Sequence, residues 1–121
     1  QISKEKLVDA CNEVYTILMM NPAALKQFLA VVPNTPWQIP LVEALSHHAT
    51  PDIVKYIKDE LINLLQIDND AMKILILGIL KDLKDPIVLP CCMTIAESAV
   101  EGRAKTLAKE IIISYARGGM A

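Results

Sequence analysis

Apolar residues recur along this chain with the three- and four-residue spacing of helices that bury one side. The pattern is clearest in residues 52–66, where one face holds Ile53, Val54, Ile57, Leu61, Leu64 and Leu65. The opposite, polar face holds Lys55, Lys58, Asp59 and Asn63. Residues 7–18 and 104–115 repeat the pattern. These segments therefore predict amphipathic helices, each packed on a neighbouring helix.

One segment is apolar on every side. It reads ILILGIL and covers residues 74–80. A helix of this kind must be covered from several directions, so it is expected in the middle of the fold. Gly78 has no side chain, and we expect it to let a neighbouring helix approach closely.

Helix starts are marked by a small polar residue followed by proline. The polar side chain accepts a hydrogen bond from a free backbone N–H, and proline at the first helical position has no N–H to lose. Four such pairs occur: Asn21-Pro22, Thr35-Pro36, Thr50-Pro51 and Asp85-Pro86. A further helix start is expected at residues 68–70, where the side chains can cap a helix but no proline follows. The pair Gly118-Gly119 is expected to end the last helix.

Seven helices are predicted from these signals, and period-two alternation typical of strands is absent. Their ranges are 3–19, 22–32, 36–48, 51–66, 70–84, 86–100 and 102–117. Pro90 leaves two alternatives for the sixth helix: it begins at Pro86 and bends near Pro90, or it begins at Leu89-Pro90 after a short turn. The fold class is all-α.

Part of the chain repeats after a shift of 34 residues. The shift aligns Leu41 with Leu75, Val42 with Ile76, Leu45 with Ile79, Ile53 with Ile87 and Val54 with Val88. Each copy is a predicted helix, a tight turn and a second helix. A unit of this size cannot bury its apolar face alone and does so by stacking on copies of itself.

The turn sequence KDLKDPIVL, residues 81–89, resembles the hairpin turn of HEAT and armadillo repeats, which often carries an aspartate. The resemblance covers about residues 36–117. Lys55 matches the basic residue usual early in the second helix, whereas Leu89 does not. The resemblance implies a right-handed α–α superhelix that displays a curved surface to another macromolecule. Tetratricopeptide repeats have a similar period, but their Trp, Gly, Tyr and Ala signature is absent.

Composition narrows the class of protein further. The 121 residues fit one domain, 1–121, and 53% hydrophobic against 4% aromatic residues require a core of aliphatic side chains. A net charge of −2 gives no basic field for nucleic acid. The longest apolar run is too short to cross a bilayer. Three cysteines, an odd number, favour a reducing compartment, so we expect a soluble cytoplasmic protein.

Candidate catalytic and metal-binding residues do not form recognisable sites. His47 and His48 are adjacent, whereas helical metal pairs are four residues apart, so we interpret them as a helix end. Cys91 and Cys92 lie in an apolar segment, which favours buried, inert thiols over redox chemistry. Neither a nucleophile elbow nor a glycine-rich phosphate loop is present. We therefore expect no enzyme activity, metal or cofactor.

The preferred hypothesis is a scaffold that binds a protein partner. The residues proposed to contact that partner are Lys55, Lys58, Asp59, Asn63 and Trp37. Trp37 follows Pro36 at a predicted helix start and suits either a core position or an exposed anchor. The methionines suit either gap filling or an adaptable groove. The alternative hypothesis is a helical bundle that encloses an apolar ligand or lipid, and a homo-oligomer is left open.

Overall fold

The computed structural model describes residues 3–67, 69–81, 83, 85–98 and 101–119. Within these ranges the chain is all-α, as predicted, and contains no strand. The helices are α1 (Lys4–Leu18), α2 (Pro22–Val31), α3 (Gln38–His48), α4 (Pro51–Tyr56), α5 (Lys58–Leu64), α6 (Asp70–Leu80), α7 (Leu89–Ala96) and α8 (Arg103–Gly119). Two short 3₁₀ turns precede α3 and α7, at Val32–Asn34 and Pro86–Val88.

The helices pack in chain order. α1 contacts α3, α3 contacts α6, and α6 contacts α8, so alternate segments of the chain form one layer. α2 packs on α1 and on α5, α5 packs on α6, and α7 packs on α8, which builds a second set of helices beside the first. Alternate segments of the chain are therefore neighbours in space. The right-handed superhelix and the HEAT-like repeat stay predictions.

Three of the expected helix starts are confirmed by side-chain caps. Asn21 accepts a hydrogen bond from the Ala24 N–H at 3.3 Å, and Thr50 accepts one from the Ile53 N–H at 3.4 Å. In the cluster at residues 68–70 the cap is Asn69, which accepts a hydrogen bond from the Met72 N–H at 3.1 Å. Asp68 lies outside the described residues. These starts are local in origin, and local chemistry was enough to predict them.

The other two proline pairs behave differently. The prediction that Thr35-Pro36 opens a helix is wrong, because α3 begins at Gln38. The Thr35 hydroxyl accepts a hydrogen bond from the Trp37 N–H at 3.4 Å, before the helix begins, and donates one to the Val32 carbonyl at 2.9 Å. Asp85-Pro86 opens a 3₁₀ turn, and α7 begins at Leu89. Of the two alternatives for the sixth helix, the later start is therefore confirmed.

The predicted helix 51–66 is divided into α4 and α5 at Ile57. Its backbone angles there are φ −103° and ψ 14°, outside the helical well. The Ile57 N–H still donates to the Ile53 carbonyl at 3.0 Å, and the Leu61 N–H donates to the Ile57 carbonyl at 3.0 Å. One bond thus closes α4 and the other opens α5, and the fully buried Ile57 between them stays in the core.

The buried side chains form one hydrophobic cluster. α6 contributes Met72, Ile76, Leu77 and Leu80, all with no exposed surface. Because α6 contacts α3, α5 and α8, its expected place in the middle of the fold is confirmed. The aligned pairs Val42 and Ile76, and Val54 and Val88, are buried in both copies of the repeat. Ile53 is partly buried, but its counterpart Ile87 is exposed.

The expected close approach of a helix at Gly78 is wrong. Gly78 is exposed, and a β-carbon built on it would have no neighbouring atom within 4 Å. The position faces a surface groove instead of a packed neighbour. Its helix is therefore less stable than it would be with alanine, because glycine has more backbone freedom to lose on folding.

Replacing Gly78 with alanine is expected to raise the free energy of unfolding. The gain should be about 0.5–1 kcal/mol, the difference in helix propensity between the two residues. Urea unfolding followed by circular dichroism measures it. A loss of stability would mean that a neighbouring element does approach this position closely.

Candidate functional site

Three of the residues proposed for partner binding form a row along α4 and α5. Lys55, Asp59 and Asn63 follow one another at intervals of four residues, and all three are exposed. Within the described part of the chain, neither Lys55 nor Asp59 takes part in an ion pair. We call these three residues the polar row. Their side chains are not needed by the core and are available to a partner.

Lys58 lies beside the polar row but is engaged within the fold. Its Nζ donates a hydrogen bond to Asp85 Oδ2 at 2.6 Å, and both side chains are partly buried. The pair joins α5 to the turn before α7, across 27 residues of sequence. Partner binding by Lys58 stays a prediction, whereas its contact with Asp85 gives it a structural role.

Asp85 connects three parts of the fold. Its Oδ1 accepts a hydrogen bond from the Ile87 N–H at 3.0 Å, which caps the 3₁₀ turn. Its own backbone N–H donates to the Tyr115 hydroxyl of α8 at 3.2 Å. The hydrogen bond from Lys58, followed by that from Ile87, holds the pKa of Asp85 below its usual range. The hydrogen bond between Lys58 and Asp85 also raises the pKa of Lys58.

Replacing Asp85 with asparagine is expected to reduce the loss of stability in acid. A carboxyl group whose pKa is lowered by folding stabilises the fold above its unfolded pKa of about 3.9, and this contribution is lost as the pH falls through the folded pKa. Asparagine can still accept from the Ile87 N–H but gives Lys58 no charge. Urea unfolding from about pH 6 to pH 2 should therefore show a shallower acid limb for Asp85→Asn.

The matched control for this variant is Asp59→Asn, which neutralises an exposed carboxylate of the polar row. It should keep the acid limb of the wild type. Equal acid limbs for Asp85→Asn and the wild type would contradict the role given to the Lys58–Asp85 pair.

A groove of about 400 Å³ adjoins the polar row. It runs between the turn that joins α3 to α4 and the outer side of α6, and Lys55 belongs to both the groove and the row. Thr50 and Asp52 line one side, and Gly78 and Ile79 line the other. The groove therefore offers apolar surface and both signs of charge within reach of one partner segment.

A second cavity, of about 330 Å³, lies among α5, α6, α7 and α8. Lys73, Cys91 and Lys105 are among its lining residues, and Gln66 Nε2 lies 4.0 Å from Cys91 Sγ. Lys105 donates to Glu101 at 2.9 Å, so its charge is already balanced. The lining mixes polar, charged and apolar groups and does not converge on one ligand chemistry.

Trp37 is outside the polar row and the groove. The alternative that placed it in the core is wrong, because about half of its side chain, 51%, is exposed.

Residues 14–42 contain one charged residue, Lys26, and no aspartate, glutamate, arginine or histidine. Met20 and Ile17 are exposed there to 83% and 68%. We call the exposed side chains of this segment, other than any charged one, the uncharged face; among them are Ile17, Met20, Ala23, Gln27, Ala30, Val31 and Trp37. The gap in charge is visible in the sequence alone.

The two histidines differ in their surroundings. His48 is partly buried, its Nε2 lies 2.9 Å from Asn12 Oδ1, and its ring packs near Tyr15, whereas His47 is exposed.

Burial raises the pKa of the Cys92 thiol to about 11, and it raises the pKa of Cys11 and of Cys91 as well. A raised pKa lowers the fraction of reactive thiolate at neutral pH. Cys92 is buried, as expected, whereas Cys91 is only partly buried.

Two searches within the described residues gave negative results. No helix there is both long enough and apolar enough to span a bilayer. No three side chains of His, Cys, Asp or Glu in the same part of the chain are grouped so that they could hold a metal ion. Comparison of the chain with protein-family models, with curated proteins and with solved structures gives no match.

Proposed function

We propose that this protein is a non-enzymatic scaffold module, a HEAT-like stack of helical hairpins that presents a helical surface to a protein partner. The polar row and the adjoining groove form the surface that we assign to that partner. One observation carries the proposal: three exposed side chains follow one another at four-residue intervals through α4 and α5, the first of them lines a groove, and the core uses none of them. Exposed polar residues held on a packed scaffold are typical of binding surfaces.

The partner surface has a definite chemistry. Lys55 and Asp59 present opposite charges one helical turn apart, and Asn63 adds an amide that both donates and accepts hydrogen bonds. The groove beside Lys55 supplies apolar area from Ile79. A polypeptide segment with mixed charges and one aliphatic anchor satisfies these groups together.

The alternative, a bundle that encloses an apolar ligand or lipid, has less support. Ligand sites of that kind are concave and mostly apolar. Charged residues line both of the cavities described above, with Asp52 and Lys55 in one and Lys73 and Lys105 in the other. A lipid-sized mass retained on the purified protein in native mass spectrometry would favour the alternative.

Affinity capture with a charge-reversed variant tests the proposal. The variant Lys55→Glu/Asp59→Lys inverts the polar row and conserves net charge, so nonspecific electrostatic binding stays the same. Partners captured from native extract by the wild type and identified by mass spectrometry should lose at least about tenfold in yield with the variant.

The matched control is Lys109→Glu/Glu110→Lys, which makes the same exchange on the exposed side of α8. It should capture the same partners as the wild type. Equal capture by both variants would rule out the polar row as the binding surface, and circular dichroism of each variant checks that the fold is intact.

A further inference from the structure

The fold has no structural need for a glycine at position 78. A glycine inside a helix usually allows either the close approach of another element or a backbone angle that other residues rarely adopt. A β-carbon at Gly78 would meet no atom within 4 Å, so no element approaches it closely. The backbone of Gly78 is helical, and α6 continues past it to Leu80, so it does not end the helix either.

The missing side chain of Gly78 does change the shape of the groove. Gly78 lines it together with Ile79 of the same helix, Leu83 after the helix end and Val54 of α4, so aliphatic side chains surround the position. A side chain at position 78 would enter the open space of the groove, because no atom of the protein lies near its β-carbon. Glycine therefore leaves room there for a side chain of another molecule.

A residue that breaks a local rule without a structural gain is expected at a functional site. Glycine is among the least favourable residues for a helix, and the other residues of α6 are all accepted more readily. The helix that carries this glycine is the central one, which contacts α3, α5 and α8. Of the surroundings of Gly78, the groove is the part that a side chain would alter.

The charges of the groove indicate what kind of molecule uses this room. Asp52 and Lys55 are exposed, line the groove with opposite charges, and take part in no ion pair within the described residues. A lipid chain has no groups that complement these charges. A polypeptide can bring aliphatic, basic and acidic side chains to the groove within a few residues, so charge complementarity favours a protein segment.

We propose that Gly78 determines the specificity of the groove: the partner segment places one aliphatic side chain over Gly78, a basic residue near Asp52 and an acidic residue near Lys55. Gly78 has this role only if the groove binds a protein, so the assignment rests on the proposed scaffold function. One substitution should then have two opposite effects. A side chain at position 78 stabilises the helix and weakens partner binding.

Peptide selection identifies a ligand without knowledge of the natural partner. The probe is a phage-displayed library of short random peptides, selected on the folded wild type. The recovered peptides should share one aliphatic residue with a basic and an acidic residue close to it. Recovery of no binding peptide, or of peptides without these three residues, would overturn the proposal.

A size series at position 78 then tests the contact itself, with the tightest of these peptides as the ligand in fluorescence anisotropy. Gly78→Leu should weaken binding at least about tenfold, and Gly78→Ala should fall between it and the wild type, because each fills space that the peptide needs. Alanine and leucine favour helix more than glycine does, so both variants should fold and unfold at a higher urea concentration than the wild type. Equal binding by Gly78→Leu and the wild type would overturn the role of Gly78.

Ala71→Leu is the matched control. Ala71 is exposed on α6 two helical turns before Gly78, and it is not among the residues that line the groove. This variant should bind the peptide as the wild type does. Equal losses in Ala71→Leu and Gly78→Leu would contradict a contact confined to the groove.

The charge-reversed variant Lys55→Glu/Asp59→Lys separates the role of Gly78 from the scaffold function. A peptide that loses affinity for this variant but tolerates Gly78→Leu overturns the role of Gly78 and leaves the proposed function standing. A peptide that binds the charge-reversed variant as tightly as the wild type overturns the assignment of the polar row to the partner.

Discussion

Replacing Leu77 with alanine is expected to lower the free energy of unfolding by about 3.5 kcal/mol, the middle of the range for large-to-small changes at buried leucines. Leu77 has no exposed surface, and its helix, α6, contacts α3, α5 and α8. The cavity left by the substitution would lie where these helices meet, so no single neighbour can shift to fill it. Because small domains are stable by only about 5–15 kcal/mol, the effect should be plain in urea unfolding.

Ile113→Ala is the matched control for this prediction. It removes an aliphatic side chain of the same size from α8, but Ile113 is about half exposed. Its free energy of unfolding should stay within about 0.5 kcal/mol of the wild type. Similar losses for both variants would contradict the central place of α6.

Replacing Tyr15 with phenylalanine is expected to raise the free energy of unfolding by about 1 kcal/mol, contrary to the usual cost of deleting a hydroxyl. Tyr15 of α1 is fully buried, and its ring packs edge-on against the ring of Phe28 with centroids 5.8 Å apart. Its hydroxyl has no hydrogen-bond partner. Burial raises the pKa of Tyr15, as expected for a hydroxyl removed from water. Phenylalanine keeps the ring contacts and removes the unsatisfied group.

Tyr115→Phe provides the contrast. The Tyr115 hydroxyl accepts a hydrogen bond from the Asp85 N–H, so its removal should cost about 1 kcal/mol. Thermal or urea unfolding of both variants measures these two changes in the free energy of unfolding, which should have opposite signs. A loss of stability in Tyr15→Phe would show that its hydroxyl has a partner in solution.

The features that the sequence predicted correctly have local causes. The caps at Asn21, Thr50 and Asn69 depend on one side chain and a backbone N–H a few residues away. The apolar face of α8 was predicted from its spacing, and Ala108 and Ile111 are fully buried. Such signals lie within one or two helical turns, so the all-α class and most helix ranges could be obtained without tertiary information.

The errors come from contacts that the sequence pattern does not contain. Thr35 looks like a helix cap, but its hydroxyl accepts from the Trp37 N–H, which lies before the first residue of α3. The apolar spacing runs unbroken through Ile57, so the division between α4 and α5 left no signal. α8 continues to Gly119, two residues past the end predicted from paired glycines.

The candidate site was only partly visible in the sequence. The exposure of Lys55, Asp59 and Asn63 follows from helical periodicity and was predicted as such. The pairing of Lys58 with Asp85 joins distant positions, and periodicity alone cannot separate a paired lysine from a free one. The uncharged face, by contrast, could have been found from the absence of charge between Glu13 and Glu43, apart from Lys26.

The packing of helices in chain order is the claim on which the surfaces depend, and methyl NOEs test it most directly. In a sample with isotope-labelled Ile, Leu and Val methyl groups, α6 should show NOEs to buried methyl groups of α3, such as Val42 and Leu45, and to Ile111 of α8. These contacts join helices that are not adjacent along the chain. A spectrum in which the methyl groups of α6 show NOEs only to α5 and α7 would contradict the account.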